Sequence, residues 1–259
     1  MDYIIALVLG AVQGIAEFLP ISSSGHLVIL QSLFHIKEGG LVLDTILHLG
    51  TAIAIMAVFR NDILALITNP FSPDPQKRNS AITMIFFLII ATIPAAIIGV
   101  KFDDYFEALF SNPRAAGAML IVTSLILFIS AARKSDGSKV TLIKAIIIGL
   151  AQAIAILPGI SRSGTTIAIA LLIGVSREDA GKFSFLMALP AILGAALLHA
   201  RKIESLDMQA GALGIGFIIS IIMGIVSLKL LMQFVRKGKL YYFGFYCCVV
   251  GILSVIFFK

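Results

Sequence analysis

Long apolar runs separated by short polar segments are the feature that most constrains what this chain can fold into. Of its 259 residues, 59% are hydrophobic and 13% are charged, whereas an average soluble domain has about 25% charged residues. A helix needs about 20 mostly apolar residues to cross a bilayer core of roughly 30 Å. Six stretches meet this requirement: 41–59, 81–100, 115–132, 183–200, 208–232 and 240–258. The sequence therefore predicts an all-α polytopic membrane protein with six spanning helices.

Two further apolar runs, residues 3–36 and 145–175, are interrupted near the middle. The first contains Glu17 and then Pro-Ile-Ser-Ser-Ser-Gly-His at 20–26, and the second contains Pro-Gly-Ile-Ser-Arg-Ser-Gly at 158–164. The arm before each break has about 14–16 residues, so its helix would be about 21–24 Å long and too short to span. Irregular backbone at membrane depth is tolerated only where protein or water surrounds it. We therefore expect two re-entrant helix hairpins in addition to the six spans.

The 20 basic residues test this layout, because cytoplasmic loops are enriched in Lys and Arg. If each hairpin returns to the side from which it enters, thirteen basic residues share one side: Arg60, Lys77, Arg78, Arg133, Lys134, Lys139, Lys144, Arg177, Lys182, Lys229, Arg236, Lys237 and Lys239. Six lie on the opposite side: Lys37, Lys101, Arg114, Arg201, Lys202 and Lys259. The asymmetry supports the layout and predicts that both termini lie outside. Because the basic residues are scattered between apolar runs, we expect no nucleic-acid partner.

An internal repeat relates the two interrupted runs. Residues 10–25 (GAVQGIAEFLPISSSG) align without gaps to residues 149–164 (GLAQAIAILPGISRSG), with eight of 16 positions identical. Each copy consists of one hairpin and three spans, and because three is odd the second copy must be inserted upside down. We therefore expect one integral membrane domain made of two repeats, residues 1–139 and 140–259, with inverted topology. The broken tips of the hairpins would meet near the midplane, where such proteins form polar sites.

The two copies differ at chemically important positions, and the aligned pairs are Glu17 with Ile156, Ser23 with Arg162, and His26 with Thr165. A formal charge at the centre of a bilayer costs about 2.5–3.5 kcal/mol on insertion scales. Glu17 and Arg162 could therefore form a structural ion pair between the repeats, or they could serve a reaction. His26 and the neighbouring serine hydroxyls favour a reaction. Its reactive groups would then be divided between the two repeats.

Gln13 and Glu17 are candidate ligands of a divalent cation. They lie four residues apart and so project from one helical face. An amide carbonyl beside a carboxylate suits a hard cation, Mg²⁺ or Ca²⁺, with water and phosphate oxygens completing the coordination. Gln13 could instead make a hydrogen bond between helices. Asp44 and His48, four apart on the next span, are weaker candidates for supporting this site.

Two helix N-termini are candidate phosphate-binding sites. The helix after the first break opens with Ser22, Ser23, Ser24 and Gly25, and the helix after the second break opens with Ser161, Arg162, Ser163 and Gly164. Free N–H groups and the positive end of the helix dipole favour an anion there, and Arg162 can bind phosphate oxygens through two parallel hydrogen bonds. The serines could instead serve only as helix caps. His26 is a candidate general base, general acid or nucleophile, or a packed histidine without a catalytic role.

The segments QGIAEFLPISSSGH (13–26) and PGISRSGTT (158–166) resemble the two signature motifs of the bacterial undecaprenyl pyrophosphate phosphatase family of the bacitracin-resistance type. The resemblance covers the whole chain. It implies hydrolysis of the lipid diphosphate to the monophosphate, dependence on a divalent cation, and an active site open to the outer face of the bacterial inner membrane. By position it implicates Glu17, Ser23, His26, Ser161, Arg162 and Thr166. The first acidic position of the family motif is Gln13 here, which leaves cation binding with one carboxylate.

These residues predict an integral membrane phosphatase acting on a polyprenyl pyrophosphate, with the lipid bilayer and its lipid substrate as partners. Arg162 and the helix N-termini would hold the diphosphate. Ser23 or His26 would attack it, or His26 would activate water, and the sequence leaves these three routes open. A transporter or flippase for a phosphate-bearing lipid or metabolite is the alternative, since inverted repeats with broken helices also form transporters. Whether two copies of the chain form a homodimer is left open.

Overall fold

The computed structural model describes residues 3–35, 40–102, 105, 109, 112–131, 137–200 and 209–258 of the chain. These residues are predominantly α-helical, which confirms the all-α class. The helices are α1 Tyr3–Ala16, α2 Ser23–Leu33, α3 Gly40–Val58, α4 Arg60–Thr68, α5 Pro75–Lys101, α6 Pro113–Ala131, α7 Leu142–Ile154, α8 Arg162–Leu172, α9 Arg177–Ala200, α10 Ala210–Lys237 and α11 Tyr241–Phe257. Several basic residues used to predict the topology lie outside the described residues, namely Lys37, Arg133, Lys134, Arg201, Lys202 and Lys259.

Within the described residues, four helices are long and apolar enough to cross a membrane: α5, α6, α9 and α10. A fifth candidate is α3, which continues into α4 after a bend of 76°. The remaining predicted span, 240–258, corresponds to α11, whose 17 residues make it shorter than these. The structure thus provides four or five candidate spans where the sequence predicts six.

Helix α4 is an element that the sequence analysis did not predict. The apolar run of α3 ends at Phe59, and the polar residues Arg60, Asn61 and Asp62 follow. Their polarity ends the membrane-type run without ending helical structure, and the chain continues as α4 after a bend. The Asp62 carboxylate forms an ion pair with the Lys182 ammonium group at 2.7 Å, and this contact links α4 to α9.

Both interrupted runs form two short helices joined by a break, as predicted. In the first, α1 has 14 residues and α2 has 11. In the second, α7 has 13 residues and α8 has 11. The second break turns through Gly159, whose φ of 96° is readily adopted only by glycine. A 14-residue helix is about 21 Å long, so none of these arms can cross a bilayer core of roughly 30 Å by itself.

Small residues allow the hairpin helices to pack closely on long helices from the other half of the chain. A Cβ atom at Gly10 of α1 would overlap the carbonyl oxygen of Gly216 on α10. A Cβ atom at Gly149 of α7 would lie 2.5 Å from the carbonyl oxygen of Ala91 on α5. Such backbone approach is typical of helix contacts within membranes, where van der Waals packing replaces the hydrophobic effect.

The distribution of polar and apolar residues fits a protein surrounded by lipid. Hydroxyl side chains such as Thr51, Thr123 and Ser220 are fully buried between helices. Large apolar side chains such as Ile97 and Phe245 are exposed on the outside. Hydrocarbon tails solvate such apolar side chains, while internal polar groups find partners within the protein.

Several basic residues predicted to share one side are in fact neighbours. The Arg177 guanidinium donates to the carbonyl oxygen of Arg236 at 3.0 Å, and Arg236 forms an ion pair with Glu178 at 3.3 Å. These contacts bring the start of α9 to the end of α10 at one end of the molecule. The Lys182–Asp62 ion pair lies one turn further along α9, next to α4.

Candidate active site

The two breaks contact each other directly. A Cβ atom at Gly25, in the first turn of α2, would lie 3.0 Å from the Cα atom of Gly159. A Cβ atom at Gly164, in the first turn of α8, would lie 3.0 Å from the Cβ atom of Pro20. The N-termini of α2 and α8 therefore lie side by side, and the dipoles of both helices place positive potential at the junction.

Serine side chains cap these two helices in the same way. The Ser22 hydroxyl accepts from the backbone N–H of Gly25 at 3.2 Å, and the Ser161 hydroxyl accepts from that of Gly164 at 3.1 Å. The hydroxyl oxygens of Ser24 and Ser163 lie 3.2 and 3.3 Å from those two capping oxygens. Ser22 and Ser161 thus have the capping role that the sequence analysis gave as the alternative to phosphate binding.

Glu17 is the centre of a buried polar cluster just before the first break. Its Oε1 atom forms an ion pair with the Arg162 guanidinium, and the carboxylate and guanidinium side chains are 5% and 21% exposed. Its Oε2 atom accepts from the Ser23 hydroxyl at 2.6 Å and from the Gln13 amide at 3.2 Å. The structure therefore brings together four of the residues selected from sequence: Gln13, Glu17, Ser23 and Arg162.

His48 of α3 adds an imidazole to this cluster. Its Nε2 atom lies 3.5 Å from Oε2 of Glu17, and its Nδ1 atom donates to the main-chain carbonyl of Asp44 at 2.7 Å. The Asp44 carboxylate accepts instead from the Gln31 amide at 2.7 Å. Of the two supporting candidates on this span, His48 contacts Glu17 through its side chain, while Asp44 acts through its main chain.

His26 hydrogen bonds to groups outside the Glu17 cluster. Its Nδ1 atom lies 2.8 Å from the carbonyl oxygen of Ser22, and its Nε2 atom lies 2.8 Å from the hydroxyl of Tyr246 on α11. The two rings are stacked, with centroids 5.6 Å apart. Because a carbonyl only accepts, Nδ1 carries a proton, so the lone pair of a neutral His26 is on Nε2 and accepts from Tyr246.

The second break is held by hydroxyl groups from α6, α8 and α9. The Thr123 hydroxyl of α6 donates to the carbonyl of Gly159 at 2.9 Å and accepts from the N–H of Ser161 at 3.0 Å. The Thr166 hydroxyl donates to the carbonyl of Arg162 at 2.7 Å and contacts the Ser184 hydroxyl. Thr166 is fully buried, and its described bonds hold the backbone of Arg162 rather than an open surface.

A narrow cleft opens beside the Glu17–Arg162 ion pair. Its lining is mixed: Glu17, Arg162, Ser163 and Ser184 are polar, and Phe18, Ile55, Phe185 and Ala188 are apolar. Arg162 also donates to the carbonyl of Ala188 at 3.4 Å, on the cleft wall.

Sequence reasoning missed Tyr246, Thr123 and Ser184 as parts of the site. Tyr246 lies 220 positions from His26 and Thr123 lies 36 positions from Gly159, and neither residue belongs to a motif. Only their position on a face that packs against a break identifies them. A polar residue inside an otherwise apolar span is a signal for Thr123, since such residues need a partner.

Fold and site together define a multi-pass membrane protein in which two broken helices meet at a buried polar cluster. The model of the bacitracin resistance protein BacA family matches residues 6–253, and the chain belongs to this family. It is 41% identical to an undecaprenyl-diphosphatase of Carboxydothermus hydrogenoformans, with 97% of this chain and 95% of that protein covered. It is also 41% identical to an undecaprenyl-diphosphatase of Methanosphaera stadtmanae, with 99% and 98% covered. Undecaprenyl-diphosphatase 1 of Bacillus cereus is 41% identical as well, with 97% and 96% covered.

Proposed function

We propose that the chain hydrolyses undecaprenyl pyrophosphate to undecaprenyl phosphate and phosphate, and so recycles the lipid carrier for cell-wall synthesis. It is a hydrolase that acts on a phosphoric anhydride, like the relatives with which it shares its family and length. The observation that carries the proposal is the cluster of Glu17, Ser23 and Arg162 at the junction of two helix N-termini.

Arg162 is the residue proposed to bind the diphosphate. Its guanidinium is paired with Glu17 in this structure, so substrate binding requires Arg162 to exchange carboxylate contacts for phosphate oxygens. The backbone N–H groups of α2 and α8 then add donors, with Ser24, Ser163 and Gly25 beside them. The start of the polyprenyl tail would lie at the apolar lining of the cleft, where Phe18 and Phe185 are buried in the substrate-free protein.

The geometry favours Ser23 as the nucleophile among the three routes. Its hydroxyl donates to Oε2 of Glu17 at 2.6 Å, so the carboxylate is positioned to take the hydroxyl proton. The Ser23 oxygen would bond to the terminal phosphorus, the bridging P–O bond would break, and undecaprenyl phosphate would leave. Water would then release phosphate from Ser23. In the alternative routes, His26 attacks or activates water once Tyr246 releases its Nε2 atom.

The type of covalent intermediate distinguishes these routes. A phosphoserine is stable to acid and labile to base, whereas a phosphohistidine is labile to acid. We expect acid-quenched enzyme to retain labelled phosphate from a substrate labelled on its terminal phosphoryl group, and Ser23→Ala to retain none. Label that is lost in acid and stable in base would assign the attack to His26 instead.

Glu17 and Gln13 are the residues proposed to hold a divalent cation, Mg²⁺ or Ca²⁺. One observation fits this role: Gln13 is fully buried, yet its Oε1 atom has no hydrogen-bond partner. Buried polar atoms normally have a partner, so an orphaned oxygen beside a carboxylate is consistent with a ligand position. A bound cation would neutralise negative charge that develops on the diphosphate.

We also propose the finer architecture, in which residues 1–139 and 140–259 are inverted repeats, each with one re-entrant hairpin and three spans. Contacts at equivalent positions support it. Gly10 and Gly149 are equivalent in the repeat alignment, and each lies against the backbone of a long helix in the other half. Gly25 and Gly164 are also equivalent, and each lies against the break of the opposite hairpin.

The proposed location is the bacterial inner membrane, with the site open to the outer face and both termini outside. The contacts among Arg177, Arg236 and Glu178 support a common side for these basic residues, which the positive-inside rule assigns to the cytoplasm. A homodimer stays a prediction, which the mass of the protein–detergent complex would check.

Phosphate release tests the function. The purified full-length chain in detergent, supplied with Mg²⁺ or Ca²⁺, is expected to release phosphate from a polyprenyl pyrophosphate, and a chelator is expected to stop it. Arg162→Ala and His26→Ala should each lower the rate strongly, and wild-type turnover in both would refute the site assignment. A transporter would bind the lipid in detergent without cleaving it, because detergent leaves no second compartment.

A further inference from the structure

His48 carries the observation that the proposed site leaves unexplained. Its Nε2 atom faces Oε2 of the buried Glu17 carboxylate at 3.5 Å. The Asp44 carbonyl accepts from Nδ1 at 2.7 Å, so Nδ1 carries a proton and the lone pair of a neutral ring is on Nε2. A lone pair directed at a carboxylate oxygen is unfavourable, so either a proton on Nε2, which makes the contact an ion pair, or a metal ion lies between the two atoms.

The hydrogen bond at Nδ1 is itself typical of a metal ligand. Histidines that bind metals through one ring nitrogen almost always donate the other ring N–H to a carbonyl, a carboxylate or water, which fixes the ring orientation. His48 has this arrangement, with a main-chain carbonyl one helical turn earlier as the acceptor. Nε2 is therefore the nitrogen available for a cation.

The distances around Oε2 of Glu17 suit a shared cation. Two ligands bound at about 2.1 Å, at tetrahedral or octahedral angles, are separated by about 3.0–3.4 Å. Nε2 of His48 lies 3.5 Å from Oε2, and the Gln13 amide nitrogen lies 3.2 Å from it. A half-turn of the Gln13 amide exchanges its nitrogen with Oε1, the buried oxygen that has no partner here.

We propose that His48 Nε2 is a third protein ligand of the divalent cation, together with Glu17 and Gln13. This inference rests on the cation site proposed above and changes its chemistry. Two oxygen ligands favour Mg²⁺ or Ca²⁺, whereas an imidazole in the set favours a cation that accepts both nitrogen and oxygen. Mn²⁺ is then bound more tightly than Mg²⁺ or Ca²⁺. The other oxygen of Glu17 stays with Arg162, on the side of the carboxylate away from the cation.

Mn²⁺ bound to the full-length protein in detergent tests the proposal without substrate. Electron spin echo envelope modulation detects the ¹⁴N nucleus of an imidazole bound to Mn²⁺. We expect this modulation in the wild type, its loss in His48→Ala, and at least about tenfold weaker Mn²⁺ binding in that variant. His48→Gln offers an oxygen in place of the nitrogen and should bind Mn²⁺ more tightly than His48→Ala, also without imidazole modulation.

Two further variants distinguish a wrong role for His48 from a wrong cation site. His35→Asn removes an exposed imidazole outside the cluster and should leave both the affinity and the modulation unchanged. Glu17→Gln should abolish Mn²⁺ binding. If it does so while His48→Ala keeps the modulation, the cation site stands and the role of His48 is wrong. If the wild type binds no Mn²⁺, or Glu17→Gln binds it as well as the wild type does, both the cation site and this inference are overturned.

Discussion

Arg162 and Glu17 lie 145 positions apart in the chain and form an ion pair between its two halves. Removing one member of a buried pair leaves an uncompensated charge, which costs more than the pair contributes as a whole. The pair is therefore a stability element and a candidate catalytic element at the same time. Experiments on it have to separate these two roles.

Arg162→Ala is expected to lower the free energy of unfolding by about 3 kcal/mol, because Glu17 stays buried without its partner. The double variant Glu17→Gln/Arg162→Met should recover most of that stability, since both charges are gone, while staying inactive. Thermal unfolding in detergent and phosphate release measure the two quantities. A double variant as unstable as Arg162→Ala would show that the unpaired charge of Glu17 is not what destabilises Arg162→Ala.

Tyr246 is expected to influence turnover through His26. Tyr246→Phe keeps the stacked ring and removes the hydroxyl that donates to Nε2, a bond whose loss is worth about 0.5–1.5 kcal/mol. Because the His26 routes need a free Nε2 atom, and the Nδ1 bond to Ser22 still holds the ring, kcat should rise about two- to tenfold with KM unchanged if His26 takes part in the reaction. Tyr242→Phe, one turn earlier on α11 and packed against Tyr241, is the matched control and should behave as the wild type. Equal kinetics in the two variants would remove Tyr246 from the mechanism.

The sequence could predict which charges meet at the site but not all of their neighbours. Glu17 and Arg162 were predictable because the repeat aligns their segments and because isolated charges in apolar runs need partners. Tyr246 was not predictable, since one exposed tyrosine on an apolar helix resembles any other aromatic residue near a membrane surface. His48 was an intermediate case, recognisable as a polar residue within a span but without an assigned partner.

At the scale of elements, the two hairpins show when a broken helix can be recognised from sequence. Proline, glycine and serine cluster at each break, and these residues end helices or cap the next one. Helix α4 lacked such a signal. Residues 60–68 have ordinary helix-forming composition after the apolar run ends, so the 76° bend depends on the tertiary environment rather than on a breaker residue.

Close packing of the hairpin helices yields a prediction about glycine. Gly10→Ala and Gly149→Ala should each destabilise the protein by about 1–3 kcal/mol, because the new methyl group would meet a backbone carbonyl that cannot move aside. Gly214→Ala on α10 is the matched control. Its Cβ atom would meet nothing within 4 Å, so the better helix propensity of alanine should leave stability unchanged or raise it by up to about 1 kcal/mol. Thermal unfolding in detergent compares the three variants. If all three behave alike, the contacts of α1 and α7 are looser than described.

At the scale of the whole molecule, the orientation in the membrane can be tested with single cysteines. The chain has two native cysteines, Cys247 and Cys248, which would first be replaced by alanine. We expect Gln76→Cys, at the start of α5, to react with an impermeant maleimide only in inside-out vesicles. Asn112→Cys, just before α6, should react in intact cells. The reverse labelling pattern would show that the protein has the opposite topology, with the proposed site on the cytoplasmic side.

The link between Glu17 and Arg162 also has a consequence for biosynthesis. A ribosome adds about 5–20 residues per second, so the 145 positions between the two residues correspond to roughly 7–30 s of synthesis. During that interval Glu17 of the first hairpin has its hydrogen-bond partners Gln13 and Ser23, but its arginine partner has not yet been made. We therefore expect the first hairpin to reach its final depth only after α8 has been made. On this expectation, the order of assembly runs against the order of synthesis, because the first hairpin settles after a helix that is made later.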